Sequence, residues 1–446
     1  MRTDPARPLQ GRRLLVAASG SIAAVKTPLL VSALVKAGAE VRCLLTASAE
    51  QLVSASALAC LSRHRCYVER DQWDPACSRP LHIELAEWAE LVVVAPLSAS
   101  SLGRWSQGIA DGLLASTLLA CEVPVLAAVA MNTAMWRHPA VQRNWEVLQA
   151  FPGVVPLAPA SGLLACDRIG DGRMVSPELI ELAAASVFSR GTQHASAERD
   201  WIGRSLLVSA GPTLEPIDAA RVLTNRSSGR MGVLLAQAAR MRGANVVLVH
   251  GPLQVPDAWR EGLHDLPVQT AAEMGERLLD HQPRADAVAM VAAVADLRRR
   301  DGGLRLKPAK TQLKALLTEG WDDVPDLLQE LVRHRPPHQR LLGFAAVSGS
   351  EEMLLERGRI KRQTKGCDLL MVNPIDRPGE GFGDAPNGGW LLGDQMQLRL
   401  STMPKLALAH RLLGALLESL PPSPNKFSGA LAGGGSGPNP KSALPT

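Results

Sequence analysis

Three side chains with chemical capability stand apart in the first 180 residues: Cys166 in LLACDRIGDGRM (163–174), His82 in LHIELAEWAE (81–90) and Asn132 in AVAMNTAMW (128–136). A thiol donates a proton or attacks as a thiolate, an imidazole moves protons near neutral pH, and a carboxamide at the mouth of a sheet can fix a carboxylate. Each also has a plainer reading. A single cysteine packs as a small core residue, a histidine ahead of a buried strand is a satisfied surface group, and a methionine pair is core. A fourth stretch, SGSIAAVK (19–26), offers backbone amides to a phosphate at a strand-to-helix turn, or is an ordinary turn of that kind.

The second half carries SAGPTLEPIDAARVLTNRSSGRMG (209–232). It reads as a strand, a Gly-Pro turn, a long loop with Arg221 and Asn225, and then Ser227, Ser228 and Gly229 capping a helix, an anion site with a cationic reader. MVAAVAD (290–296) reads as a buried strand ending at Asp296, a carboxylate placed either for nucleotide and Mg2+ or as a helix N-cap. VPDLL (324–328), GFAAV (343–347) and KRQTKGCDLLMVN (361–373) follow. Lys361 and Lys365 are four apart and on a helix would share one face, toward a triphosphate or toward solvent.

These residues need a frame to hold them. GRRLLVAAS (11–19) predicts a strand, TPLLVSALVKAG a helix with Pro28 in its first turn and Gly38 as its stop, and AEVRCLLT the next strand. ELVVVAP (90–96) and VPVLAAVA (123–130) continue a parallel α/β pattern. The polar stretch 189–201 predicts a linker, after which GRSLLVSAG, GRMGVLLAQAARMRG and ANVVLVHG restart the same pattern. The expectation is α/β: two doubly wound Rossmann-like domains, residues 1–188 and 202–420, with a Pro-, Gly- and Ser-rich tail (421–446) that cannot bury a core and is expected to be disordered.

At 446 residues the chain exceeds one ordinary core. Its 46% hydrophobic and 20% charged content and net charge of +5 describe a soluble protein whose dispersed basic residues do not make a nucleic-acid surface. The seven cysteines are odd in number and lack CxxC spacing, against a disulfide framework or structural zinc. The longest apolar stretch (113–131) is broken by Glu122 and Pro124 and reads as helix, turn and strand, so no membrane span and a cytoplasmic location are expected.

In their order, SGSIAAVK, HIEL, AMNTAM and the AC-x-x-IGDGRM loop resemble the flavin-containing cysteine decarboxylases, in particular those acting on phosphopantothenoylcysteine, over about 180 residues. The resemblance implies a flavodoxin-like domain holding FMN at a trimer interface through Ser19, Gly20, Ser21 and the loops at Thr46, Ser98 and 111–117, Ser116 included. It further implies that His82 assists thiol oxidation and binds substrate, that Asn132 holds the carboxylate, and that Cys166, on a mobile loop beside flexible glycines 170 and 172, donates the proton after CO2 leaves. A flavin is needed because no side chain accepts the hydride. The chain departs from the family at Cys166-Asp167-Arg168, where glycine is usual after the thiol, and at GIADG (108–112).

Residues 200–410 resemble the phosphopantothenate-cysteine ligases. This implies that Asn225 and Arg221 engage the acyl group and its activated form, and that CTP contacts Ala292, Asp296, Pro325, Asp326, Leu327, Leu328, Phe344, Lys361 and Lys365, with Mg2+ at Asp296. The usual triphosphate lysine falls in LRLKPAK (304–310), on Lys307 or on a replaced Arg305. Joined, the halves imply cysteine ligation to 4'-phosphopantothenate followed by decarboxylation to 4'-phosphopantetheine, in a homo-oligomer of flavin trimers and ligase dimers, up to a dodecamer. Two rivals are a decarboxylase of peptide C-terminal cysteines and a non-catalytic flavin-binding regulatory subunit.

Overall fold

The computed structural model describes residues 7–75, 78–163, 169–190, 197–381 and 383–422. Six parallel strands, β1 (Arg13–Ala18), β2 (Glu40–Leu45), β3 (Cys66–Val68), β4 (Leu91–Leu97), β5 (Val125–Val129) and β6 (Val154–Leu157), lie in the order β3-β2-β1-β4-β5-β6. Their continuous apolar runs suit strands covered by helices on both faces, and all seven residues of β4 are buried. The connections leave β1 and β4 in opposite directions, so a crevice opens beyond their C-terminal ends, where ligands of such sheets bind. Ser19 stitches that crevice shut at its base: its Oγ donates to the Pro96 carbonyl at 2.8 Å and accepts the Ser98 N–H at 2.7 Å.

An antiparallel pair, β7 (Ala160–Leu163) and β8 (Ile169–Arg173), stands beside the end of β5. Glycines 170 and 172, expected in a flexible loop, are strand residues of β8. The Met131 N–H donates to the Gly172 carbonyl at 3.0 Å, and a Cβ at Gly172 would stand 2.2 Å from the Met131 carbonyl oxygen. Gly170 supplies close approach, and Gly172 supplies both close approach and a φ of +148° that other residues rarely adopt.

The second lobe repeats the plan. Its strands are β9 (Ser205–Ala210), β10 (Leu214–Asp218), β11 (Arg221–Thr224), β12 (Asn245–His250), β13 (His264–Pro267), β14 (Ala287–Met290), β15 (Leu297–Arg299), β16 (Trp321–Asp323), β17 (Arg340–Val347), β18 (Leu369–Pro374), β19 (Asn387–Leu392) and β20 (Gln397–Met403). Eight of them form one sheet, β13-β12-β9-β14-β17-β18-β19-β20, parallel as far as β18 and antiparallel beyond. The switch point falls between β9 and β14.

Two sequence expectations change here. The long loop carrying Arg221 is a hairpin, β10–β11, because Asp218 is buried and anchors Arg221 at 2.9 Å while its Oδ1 accepts the Ala220 N–H. Strand β14 stops at Met290, six residues before Asp296, because the chain from Val291 onward spends its backbone on the β9 side: Val291 and Ala292 N–H groups donate to Ser209 Oγ, and Ala293 N–H to the Gly211 carbonyl. Asp296 caps no helix, since β15 follows it.

The lobes share one apolar core cluster. The helix Pro177–Phe188 packs on Thr27–Lys36 and meets the last helix, Lys405–Ser419, where Ser186 Oγ lies 2.9 Å from His410 Nε2. The stretch read as a linker contributes to this seam: Trp201 is fully buried, and Asp200 pairs with Arg242 and Arg190. The expected tail, from residue 423, lies outside the described residues. Among the described residues no helix is long and apolar enough to cross a membrane.

Two candidate active-site crevices

In the first lobe two grooves meet at Gly20 and Ser98. One, of about 510 Å3, is walled by Ile22, Val25, Met131, Asn132, Met135 and Met174. The other, of about 250 Å3, is more polar than the first and takes in Thr46, Ser48, Ser101, Arg104 and Asp111 beside Leu114 and Leu118. Helices begin around their junction because Ser21, Thr46 and Ser98 each accept a backbone N–H of the turn that follows, from Ala23, Ala49 and Ser101, each cap worth about 1 kcal/mol. Gly20 leaves the junction open, since a Cβ there would stand 2.4 Å from the Ser48 Cβ. A flat apolar wall joined to a pocket of helix starts fits a ring system carrying a phosphate.

The sequence-predicted contacts divide. Gly20, Ser21, Ser98 and Asn132 line the apolar groove and Thr46 the polar one. Ser19 is fully buried beneath, with its hydroxyl spent between β1 and β4. Ser116 donates to the Ala110 carbonyl, and Thr117 points into its own helix toward the Leu113 carbonyl, so neither lines a groove. Asp111 is paired with Arg104, and Glu69, which no spacing singled out, accepts the Leu113 N–H at 2.7 Å where the next helix starts. Asn132 sits at the start of Thr133–Trp136 and accepts the Ala134 N–H at 2.8 Å. His82 lies half-buried in the first turn of Leu81–Trp88 and lines neither groove of its own chain. Cys166 lies outside the described residues, as do Asp167 and Arg168; of the flanking strands, β8 is held at Met131 and lies against Thr133. Cys43 and Cys66 are buried thiols pushed up to about 12 by burial, and Cys367 to about 11, which leaves them packing roles.

The second-lobe crevice, about 820 Å3, opens beyond the C-terminal ends of β14, β17 and β18. Ala292, Asp296, Pro325, Asp326, Leu327, Leu328, Phe344, Lys361 and Lys365, drawn from four separate stretches of sequence, all line it. Lys361 and Lys365 do lie on one helix, Glu351–Lys365. Burial lowers the Lys365 ammonium below its usual range while the nearby charge of Asp296 pulls it back, and the lysine touches Asp326, which caps the helix Leu327–Arg333. Asn225 lines the crevice as well, its amide donating to the Ala293 and Val294 carbonyls at 3.1 Å, so that it ties the serine loop to the Asp296 loop.

Arg221 does not reach the crevice; the buried Asp218 keeps it on the hairpin. Lys307 and Arg305 are exposed in the excursion between β15 and β16 and line no part of it. The cations that do are Arg226, Arg230, Lys361, Lys365 and Lys405. Lys405, almost wholly buried at the start of the last helix, donates to the Gly381 and Ala385 carbonyls, and burial with the Arg230 charge pushes it down to about 8. Nothing in the local pattern marked Lys405, Arg230 or Asn387, because a helix-start lysine and a strand-start asparagine are ordinary surface residues until the sheet folds them inward. Among the described residues no group of three or more His, Cys, Asp or Glu could hold a metal ion unaided. Of the crevice's carboxylates, Asp296, Asp323 and Asp326, Asp326 is engaged by Lys365, and Asp296 fits a cation that keeps its waters and shares a nucleotide's phosphates.

Residues 2–187 match the Flavoprotein family model, and residues 201–420 match that of the DNA/pantothenate metabolism flavoprotein C-terminal domain. A coenzyme A biosynthesis bifunctional protein CoaBC from Bacillus subtilis is 38% identical over 85% of this chain and 90% of its own. Its counterpart from Mycobacterium tuberculosis is 37% identical over 92% and 97%, and that from Escherichia coli 35% over 87% and 93%. Among solved structures, the FMN binding protein AtHal3 is 36% identical over 39% of this chain and 94% of its own, with a TM-score of 0.36.

Proposed function

Because the chain belongs to the family of bifunctional coenzyme A biosynthesis proteins, we propose that its second-lobe crevice joins cysteine to 4'-phosphopantothenate at the expense of CTP and that its first-lobe grooves hold FMN for the decarboxylation that follows. The two steps, ligation and decarboxylation, are those of the family. What supports the assignment to sites is one observation: nucleotide-type contacts from four distant stretches line a single crevice with the Asn225–Gly229 loop.

In that crevice Lys361 and Lys365 neutralise the triphosphate, Phe344 borders the base, and Asp296 shares Mg2+ with phosphate oxygens. Activation joins a carboxylate oxygen to the α-phosphorus of CTP as pyrophosphate leaves; the cysteine amine then attacks the carbonyl carbon, CMP departs with the electrons of the acyl–oxygen bond, and the amine nitrogen releases its proton to solvent. Asn225 holds the serine loop against the acyl end. In the first lobe, bound FMN would supply a reversible hydride acceptor that side chains lack, taking up a hydride before CO2 leaves and returning it afterwards, so that the product keeps the substrate's oxidation level. Asn132 orients the substrate carboxylate, and Cys166 delivers a proton to carbon once CO2 has left.

His82 lies outside its own chain's grooves, and Ile22, Val25, Leu29 and Met135 are exposed around them. Both observations support a homo-oligomer in which a second copy covers the groove and brings its His82 to it. We place the protein in the cytoplasm, with its cysteines reduced.

The test is mass spectrometry of the purified chain given 4'-phosphopantothenate, cysteine, CTP and Mg2+. The expected product is 4'-phosphopantetheine, with an undecarboxylated or oxidised intermediate accumulating in Cys166→Ser. Absence of any CTP-dependent cysteine adduct would overturn the ligase assignment, and unchanged turnover in Cys166→Ser would remove the thiol from the mechanism.

A further inference from the structure

A third cavity, of about 600 Å3, lies between the lobes. It sits by Ser205 and Asn245, the N-terminal ends of β9 and β12, at the opposite edge of the sheet from the nucleotide crevice. The first lobe closes it with Trp145, Gln149, Pro156 and Ala158. Its ionisable lining is Arg199, Arg240, Arg284, His264 and His281, and among the described residues no aspartate or glutamate lines it.

Among the described residues no carboxylate forms an ion pair with these arginines. Arg199 donates from Nη1 to the Gln149 carbonyl at 2.7 Å and Arg240 from Nε to the Gln237 amide oxygen at 2.9 Å, both neutral acceptors. Arg199 Nε and Arg240 Nη2 are shielded from solvent and make no hydrogen bond among the described residues. The carboxylate whose charge reaches Arg240 is that of Glu261, and its oxygens are engaged by Arg173 and Ser176. Burial pushes the Arg240 guanidinium down to about 10. A residue other than glycine at 262 would close the space, since a Cβ there would stand 2.8 Å from Arg240 Nη1. Partly buried cations such as Arg199 and Arg240, without counter-ions among the described residues, are costly in a fold that has no use for them.

We propose that this cavity is an anion site, separate from both catalytic crevices, that takes a small phosphorylated molecule held between the lobes. Guanidinium groups match phosphate oxygens in pairs. Leu206, Leu207, Val246 and Val247 give the cavity an apolar side for the rest of the ligand, and its volume is that of a small-molecule site. The occupant is an effector rather than a reactant: it touches both lobes at once and leaves the crevice beyond β14, β17 and β18 free.

Pyrophosphate is the probe, titrated by calorimetry into the full-length, flavin-loaded chain carrying Lys361→Ala and Lys365→Ala, which weakens the nucleotide crevice, so that the arginine variants decide which site is read. Saturable binding is expected, weakened about ten-fold or more by either Arg240→Gln or Arg284→Gln and unchanged by Arg411→Gln on the surface. The ligand-free Arg240→Gln chain is expected to melt no lower than its parent, because the arginine serves the ligand and not the fold. Arg284 is exposed, so its variant tests the site even if the Arg240 variant does not fold. Absence of saturable binding in the parent, or affinities within about two-fold of it in every folded arginine variant, would overturn the site.

Discussion

Lys405 shows how a residue's role depends on what surrounds it. A lysine at the start of an exposed helix would be solvent-facing, yet here it is buried under the crevice and satisfies two loop carbonyls. Its folded-state value, about 8, lies below the 10.5 of a free lysine, burial being the larger cause and Arg230 the lesser. The unfolded chain therefore binds more protons between these values, so stability rises with pH across that window and is lost again as pH falls to about 8. Relative to Lys405→Met, the wild type is expected to gain stability from pH 8 to 10 and to run parallel below pH 8, measured by urea unfolding across pH. At the crevice wall, Lys361→Ala is expected to raise the KM for nucleotide by roughly ten-fold or more, as loss of a charge-assisted contact would, with the fold intact by circular dichroism.

At the scale of elements, the helix Arg230–Met241 carries the site because it lies unusually close to β9. A Cβ added at Gly232 would stand 2.6 Å from the Ala210 Cβ and 2.9 Å from the Ser209 carbonyl oxygen. Gly229 enters that helix at φ +75°, a left-handed conformation that costs other residues. Gly232→Val is expected to destabilise the second lobe by about 1–3 kcal/mol and to weaken nucleotide binding by lifting the serine loop from the crevice. Chemical denaturation followed by nucleotide titration checks both, and unchanged stability would show that the helix can shift freely.

The whole molecule is latched where the helices Pro177–Phe188 and Lys405–Ser419 meet. His410 is buried there beside Arg242 and Arg190, and burial first, then those two charges, hold its imidazole well below 6.5. A histidine depressed in the folded state contributes stability that is present above 6.5 and is lost as pH falls beneath it, because the unfolded chain then takes up the proton. Wild type is expected to lose more stability than His410→Gln between pH 6.5 and 5, in thermal melts at constant ionic strength. Equal losses would remove His410 as the acid-sensitive point of the seam.

Periodicity and turn residues were enough to reveal the α/β class and the two repeated lobes, because apolar runs and glycine stops act locally; that Lys361 and Lys365 share a helix was decided by the structure. The motif order also carried the family. What local pattern could not carry was direction. Arg221 and Asn225 stand four residues apart in one motif, yet a buried aspartate keeps the first on a hairpin while the second bridges two loops of the crevice. Asp296 is delivered by a loop and not by a strand end, since Ser209 captures the backbone before it. Likewise Ser19 became a strut and glycines 170 and 172 became strand contacts. Lys405 and Arg240 acquire their chemistry from burial, which depends on how elements distant in the chain pack together.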